Sequence, residues 1–113
     1  MFSYPGRPDI PRLHFKDVSV NYTHYLVTWD FPDDNGGAPV SFFTVWYREL
    51  ARNKTKKIWR TVNTTEPRIY LKLNCCLTYE IMVTAWNRNG PSFTDPDNAA
   101  TITVLRGNVL WYA

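Results

Sequence analysis

Cysteine is scarce in this chain: there are two, Cys75 and Cys76, and they are adjacent. Neighbouring Cα atoms sit about 3.8 Å apart across a trans peptide, short of the roughly 4.4–6.8 Å that a normal disulfide spans. That excludes an internal disulfide framework. Two readings stay open: one buried thiol beside one at a loop surface, or a bond to another domain or chain. Histidine is as sparse, and His14 and His24 have no cysteine or carboxylate at zinc-ligand spacing. Asp33, Asn35, Asp95 and Asp97 match no dedicated calcium loop. No apolar run approaches the length that spans a bilayer. Residues 1–8 lack the apolar core and small-residue cleavage site of a signal peptide, so the expectation is a domain excised from a longer protein. There is no Gly-rich phosphate loop, no nucleophile elbow and no pair of carboxylates flanking a cleft. The chain is expected to be non-catalytic, with no cofactor and no metal.

What is present is a core-forming composition. The 113 residues suit one domain, and 44% hydrophobic content with 20% charge argues against disorder. Five Trp and seven Tyr help lift the aromatic share to 16%, more rings than a small core can hold, so some are expected to face outward. A net charge of +3 is too modest to imply a nucleic-acid ligand.

Apolar alternation with period two recurs along the chain, and no helical period competes with it. Leu13 and Phe15, with Val18 and Val20, mark a first strand near residues 11–20. Tyr25, Val27 and Trp29 form the buried set of a second. The cluster from Pro32 to Pro39 is a turn in which Gly36 and Gly37 supply positive φ. Phe43, Val45 and Tyr47 form the inward face of a third strand, and a short fourth runs through Trp59 and Val62. Arg68 to Leu73 is a strand of ambiguous phase. Strict alternation puts Ile69, Leu71 and Leu73 on one face. Tyr79, Ile81, Val83 and Ala85 alternate cleanly, and Ala100 to Leu105 makes a last strand. The pattern is that of an all-β, seven-stranded antiparallel sandwich with an immunoglobulin-like arrangement.

Several of these residues together resemble the fibronectin type III family. They are Trp29, then Phe43, Val45 and Tyr47, then Leu73 six residues before Tyr79, then Val83, Ala85, Asn87, Gly90 and Ser92. The resemblance covers residues 8–105, leaving 1–7 as a lead-in or linker and 106–113 as a tail. It implies a central core Trp29, a Tyr79 whose hydroxyl bonds nearby backbone, and an inward Tyr70 where alternation would turn it outward. Asn74 to Leu77 departs from the family's usual Gly or Pro. The resemblance further implies a protein–protein interaction or spacer module from the extracellular part of a cell-surface receptor or adhesion protein. The alternatives are an intracellular array module of a giant muscle-type protein, or an accessory domain of an enzyme.

Strand phase then places an outward face on the third and sixth strands. Phe42, Thr44, Trp46 and Arg48 lie on one, with Glu80, Met82, Thr84, Trp86 and Arg88 on the other. Phe42, Trp46, Arg48, Trp86 and Arg88 are the candidate protein-contact set, because exposed aromatics beside arginine have hot-spot composition. The competing reading is that the rings only cover one another. Arg52, Lys54, Lys56 and Lys57 form a basic stretch suited to a sulfated glycan, or to solvation alone. Asn21, Asn53 and Asn63 each open an N-glycosylation sequon, and all three are expected in loops.

Overall fold

The computed structural model describes residues 6–14, 24–50, 57–74 and 77–104. Two antiparallel sheets face each other. The first contains β1 (Arg12–His14), β2 (His24–Asp30) and β5 (Arg68–Lys72), in the order β1-β2-β5. The second contains β3 (Phe42–Leu50), β4 (Arg60–Thr64), β6 (Thr78–Asn87), β7 (Gly90–Pro91) and β8 (Ala100–Thr103). Its order is β4-β3-β6-β7, with β8 pairing the start of β6. The last strand is thus split, and the connection between its two parts carries a 3-10 turn at Pro96–Asn98.

Alternation explains the core. Tyr25, Val27 and Trp29 on β2 face Phe43 and Val45 on β3, and Tyr79, Ile81, Val83 and Ala85 on β6 complete the layer. Tyr47 and Val62 pack against that cluster while half-buried. Phe43 is fully buried, with the rings of Trp29 and Phe31 packed against it edge-on at 5.3 Å. The indole N–H of Trp29 has no hydrogen-bond partner among the described residues, a cost the surrounding ring packing must outweigh.

In β5 the phase follows strict alternation. Leu71 and Leu73 are buried, whereas Tyr70 is 56% exposed, so the inward Tyr70 implied by the family resemblance does not hold. Tyr25 opposite Leu71 and Val27 opposite Ile69 already fill the inner face, which leaves Tyr70 to point away. Past the strand, Leu73 and Tyr79 close a tyrosine corner. The Asn74 backbone N–H donates to the Tyr79 hydroxyl at 2.9 Å.

Residues 6–9 are tied into one end of the sandwich. Gly6 N–H donates to the Gly36 carbonyl at 2.7 Å, and Asp9 N–H donates to the Asp34 carbonyl at 2.8 Å. The buried Asn87 holds this arrangement together, since its Nδ2 donates to the carbonyls of Gly6 (2.8 Å) and Asn35 (2.7 Å). Gly36, at φ 77°, lies so close that a Cβ there would sit 2.3 Å from the Gly6 carbonyl oxygen. Glycine is therefore required at this turn for both conformation and space.

Candidate functional site

The outer face of the second sheet carries the aromatic residues that alternation turns away from the core. Register sets Thr44 directly opposite Thr84, with Phe42 opposite Trp86 and Trp46 opposite Met82. Each threonine anchors an indole. Trp46 Nε1 donates to Thr84 Oγ1 at 3.2 Å, and Trp86 Nε1 donates to Thr44 Oγ1 at 2.9 Å. The Thr44 hydroxyl in turn donates to Asn63 Oδ1 at 2.7 Å, and the Thr84 hydroxyl donates to the Thr44 carbonyl at 3.4 Å. Phe42 stacks on Trp86 with centroids 5.3 Å apart and planes 13° from parallel.

One step along, the Arg48 guanidinium lies 4.1 Å from the Trp59 ring centroid, and its Nε donates to Glu80 Oε1 at 2.8 Å. Both side chains of this ion pair are close to nine-tenths buried, at 13% and 11% exposure. Removing one member of such a pair is costly, because the remaining charge loses its compensation in a poorly hydrated place. Trp59 is therefore the residue that extends the face beyond β3 and β6.

The outward set of the alternation is a layered surface. Thr44, Glu80, Met82 and Thr84 are buried, the Arg48 side chain is largely covered, and Phe42, Trp46 and Trp86 stay half-buried. The rings do cover their neighbours, as one reading of the sequence had it, yet they remain partly open to solvent and are held in fixed orientations. Arg88 is separate. It lies exposed after the end of β6, and among the described residues it joins no ring or ion pair. Thr44→Val removes the acceptor for Trp86 and the donor to Asn63 at almost constant volume. It is expected to cost about 1–2 kcal/mol, read by thermal unfolding, and to shift the Trp86 emission as its indole N–H loses its partner.

No protein-family model matches the chain. Among solved structures, a human fourth FNIII domain matches with a TM-score of 0.67 at 22% identity, over 92% of this chain and 82% of that one. The FN5 domain of Drosophila Lar matches with a TM-score of 0.60 at 17% identity, over 91% of this chain and 99% of that one. The fold is that of a fibronectin type III domain. The twitchin kinase region of C. elegans also contains a similar unit, with a TM-score of 0.68 and 21% identity over 88% of this chain. This chain spans only 17% of that twitchin structure. Both FNIII structures are matched over most of their own length.

The fibronectin type III fold gives the remaining sequence signals distinct fates. Asn63 lies within β4, opposite Thr44, and not in a loop. The loop expectation fails because Asn is depleted in strands in general, whereas here the Thr44 hydroxyl donates to the Asn63 side chain across the paired strands. Asn21 and Asn53 lie outside the described residues, as do Arg52, Lys54 and Lys56, and Cys75 and Cys76. Lys57 is described and pairs with Glu49 at 3.3 Å. Asp33 and Asp34 serve the turn: Asp33 bonds Arg12 at 3.0 Å and Asp34 Oδ1 accepts from Gly36 N–H at 2.8 Å. Among the described residues no group of three or more His, Cys, Asp or Glu is arranged to hold a metal ion. Nor is any helix among them long and apolar enough to cross a membrane.

Proposed function

We propose that this fibronectin type III domain is a protein-interaction module of a cell-surface receptor or adhesion protein. Its contact face is the half-exposed array of Phe42, Trp46, Trp59 and Trp86, with the largely covered Arg48 stacked on Trp59. The observation that supports this most is the anchoring of both indoles by Thr44 and Thr84. A ring already fixed in the free domain has little conformational freedom left to lose on binding. More of its contact energy then appears as affinity. Aromatics and arginine, at the centre of an interface, are the residue types that dominate such energies. The test is the parent protein carrying Trp46→Ala or Trp86→Ala, compared with Tyr70→Ala on the opposite sheet. The tryptophan variants are expected to weaken association with the partner by at least about tenfold (~1.4 kcal/mol) while the domain stays folded. Unchanged association in both would remove the proposal.

A second reading has an observation of its own. The likeness to the twitchin kinase region favours an intracellular module in a muscle-type array, where the same face would contact neighbouring domains. Glycopeptide mapping of native material separates the two. Occupied Asn21, Asn53 or Asn63 supports the cell-surface reading, and bare sequons with free Cys75 and Cys76 support the array.

A further inference from the structure

Among the described residues β5 is an edge strand, paired with β2 on one side and open on the other. Strand geometry says which residues serve the open side. The Trp29 N–H donates to the Pro67 carbonyl at 3.0 Å, so residue 67 turns its backbone toward β2. Alternation gives Ile69 and Leu71, opposite Val27 and Tyr25, the same direction. Arg68, Tyr70 and Lys72 therefore turn their N–H and C=O groups out along the edge. Their side chains are exposed on the outer face of the first sheet. Neither Arg68 nor Lys72 has an ion-pair partner among the described residues. On the inner phase of the same strand Ile69 is only half-buried. At the Lys72 end of the edge a cleft of about 710 Å³ opens, and there Ile58 is 88% exposed.

An edge of this composition selects its occupant. A second copy of the chain does not fit. Antiparallel pairing centred on Tyr70 would set Arg68 of each copy against Lys72 of the other, and like charges directly opposite are destabilising. A segment with two carboxylates four residues apart reverses that sign at both ends. Its backbone meets the open groups of Arg68, Tyr70 and Lys72, which is the bonding that strand addition requires. The three residues between the carboxylates then alternate in direction. The central one stands opposite Tyr70, where a small side chain leaves the phenol ring open to solvent. Its two neighbours turn inward beside Ile69 and Leu71, at the flank of the sandwich, where apolar side chains gain cover. We propose that β5 binds an acidic extended segment of another protein as an added antiparallel strand. Its pattern is acidic, apolar, small, apolar, acidic, with the carboxylates on Arg68 and Lys72. The site lies on the sheet opposite the aromatic face and does not rest on the function assigned to that face.

The test uses the full chain and an end-blocked, fluorescent peptide containing Asp-Val-Ser-Val-Asp, with affinity measured by anisotropy. The peptide is expected to bind, more weakly as salt rises. Arg68→Ala/Lys72→Ala is expected to reduce affinity at least about tenfold, and Arg7→Ala/Arg88→Ala, an equal change in net charge elsewhere, by less than about twofold. All four positions are exposed, so unchanged melting temperatures verify that the variants fold. Two further peptides of the same charge read the strand itself. N-methylation of the serine removes the donor to the Tyr70 carbonyl, and the order Val-Asp-Ser-Asp-Val brings both carboxylates to the inner phase. Each is expected to bind at least about tenfold more weakly. Equal binding of either altered peptide, or an equal fall in both double variants, overturns the proposal, because net charge alone would then account for the contact. Cations on edge strands also deter edge-to-edge pairing. If the first peptide fails to bind at millimolar concentration and the first double variant self-associates in sedimentation, that deterrence is their role and the proposal fails.

Discussion

Replacing Phe43 with alanine is expected to cost the domain about 3–5 kcal/mol. That is a large share of the roughly 5–15 kcal/mol that holds such a domain together. Phe43 is wholly buried, with the rings of Trp29 and Phe31 packed edge-on against it, so its loss leaves a cavity in the core. Its neighbour in sequence provides the control. Phe42 points to the opposite face and stacks on Trp86 while half-buried. Phe42→Ala forfeits one ring stack and partial burial, and is expected to cost less than about 2 kcal/mol. Urea unfolding checks both. The midpoint should fall far more for Phe43→Ala, with the slope unchanged. Equal losses would mean that the register of β3 is wrong by one residue.

Asn87→Ala is expected to cost about 2–4 kcal/mol. The side chain is buried and acts in three directions: Nδ2 serves the carbonyls of Gly6 and Asn35, and Oδ1 accepts the Asn89 N–H at 2.7 Å. Alanine leaves these groups short of partners at the place where residues 6–9 join the domain. Asn87→Asp is expected to be at least as harmful, because a carboxylate cannot donate to either carbonyl and would face both with negative charge. Native-state hydrogen exchange gives the specific readout. The Gly6 and Asp9 amides, bonded to Gly36 and Asp34, should exchange faster in Asn87→Ala by more than the global loss accounts for. Protection of these amides equal to that of the parent would show that Asn87 does not hold the segment. Gly36 lies against Gly6 and Arg7 of the same segment, so a further change there should be non-additive with Asn87→Ala.

Most of the sandwich was legible in the sequence because period-two patterns over β2, β3 and β6 are long and unbroken. The inward sets that alternation assigned to those strands are the ones found in the core. Legibility failed where a local rule competes with a distant contact. Tyr70 was ambiguous because Ile69, Leu71 and Leu73 offered one phase and the family resemblance another. The filled face opposite, set by Tyr25 and Val27, decides it. The last strand was expected as one piece at Ala100–Leu105. The second sheet also uses Gly90–Pro91, separated from β8 by the turn at Pro96–Asn98, and a two-residue strand carries no periodic signal.

The candidate site was half legible for the same reason. Phase alone turned Phe42, Trp46, Arg48 and Trp86 outward and set them on adjoining strands. It could not show that Thr44 and Thr84 lie under the indoles, since that depends on which residues stand opposite across β3 and β6. The recurrence of threonine between aromatics at alternate positions was the available signal. Arg88 continued the alternation on paper, but the strand ends at Asn87, where the side chain turns inward to meet Gly6. The contact joins positions 81 residues apart, and no local pattern announces it.

The claim that Phe42, Trp46 and Trp86 form a contact face is tested most directly by hydroxyl-radical footprinting. Oxidation of each ring would be compared between the isolated domain and the parent protein in its native assembly. The account predicts that Phe42, Trp46 and Trp86 are labelled in the isolated domain and strongly protected in the assembly, with exposed Tyr70 labelled alike in both. Equal labelling of Trp46 and Trp86 in the two states would contradict it, and would leave the rings as a cover for the outer side of the sheet.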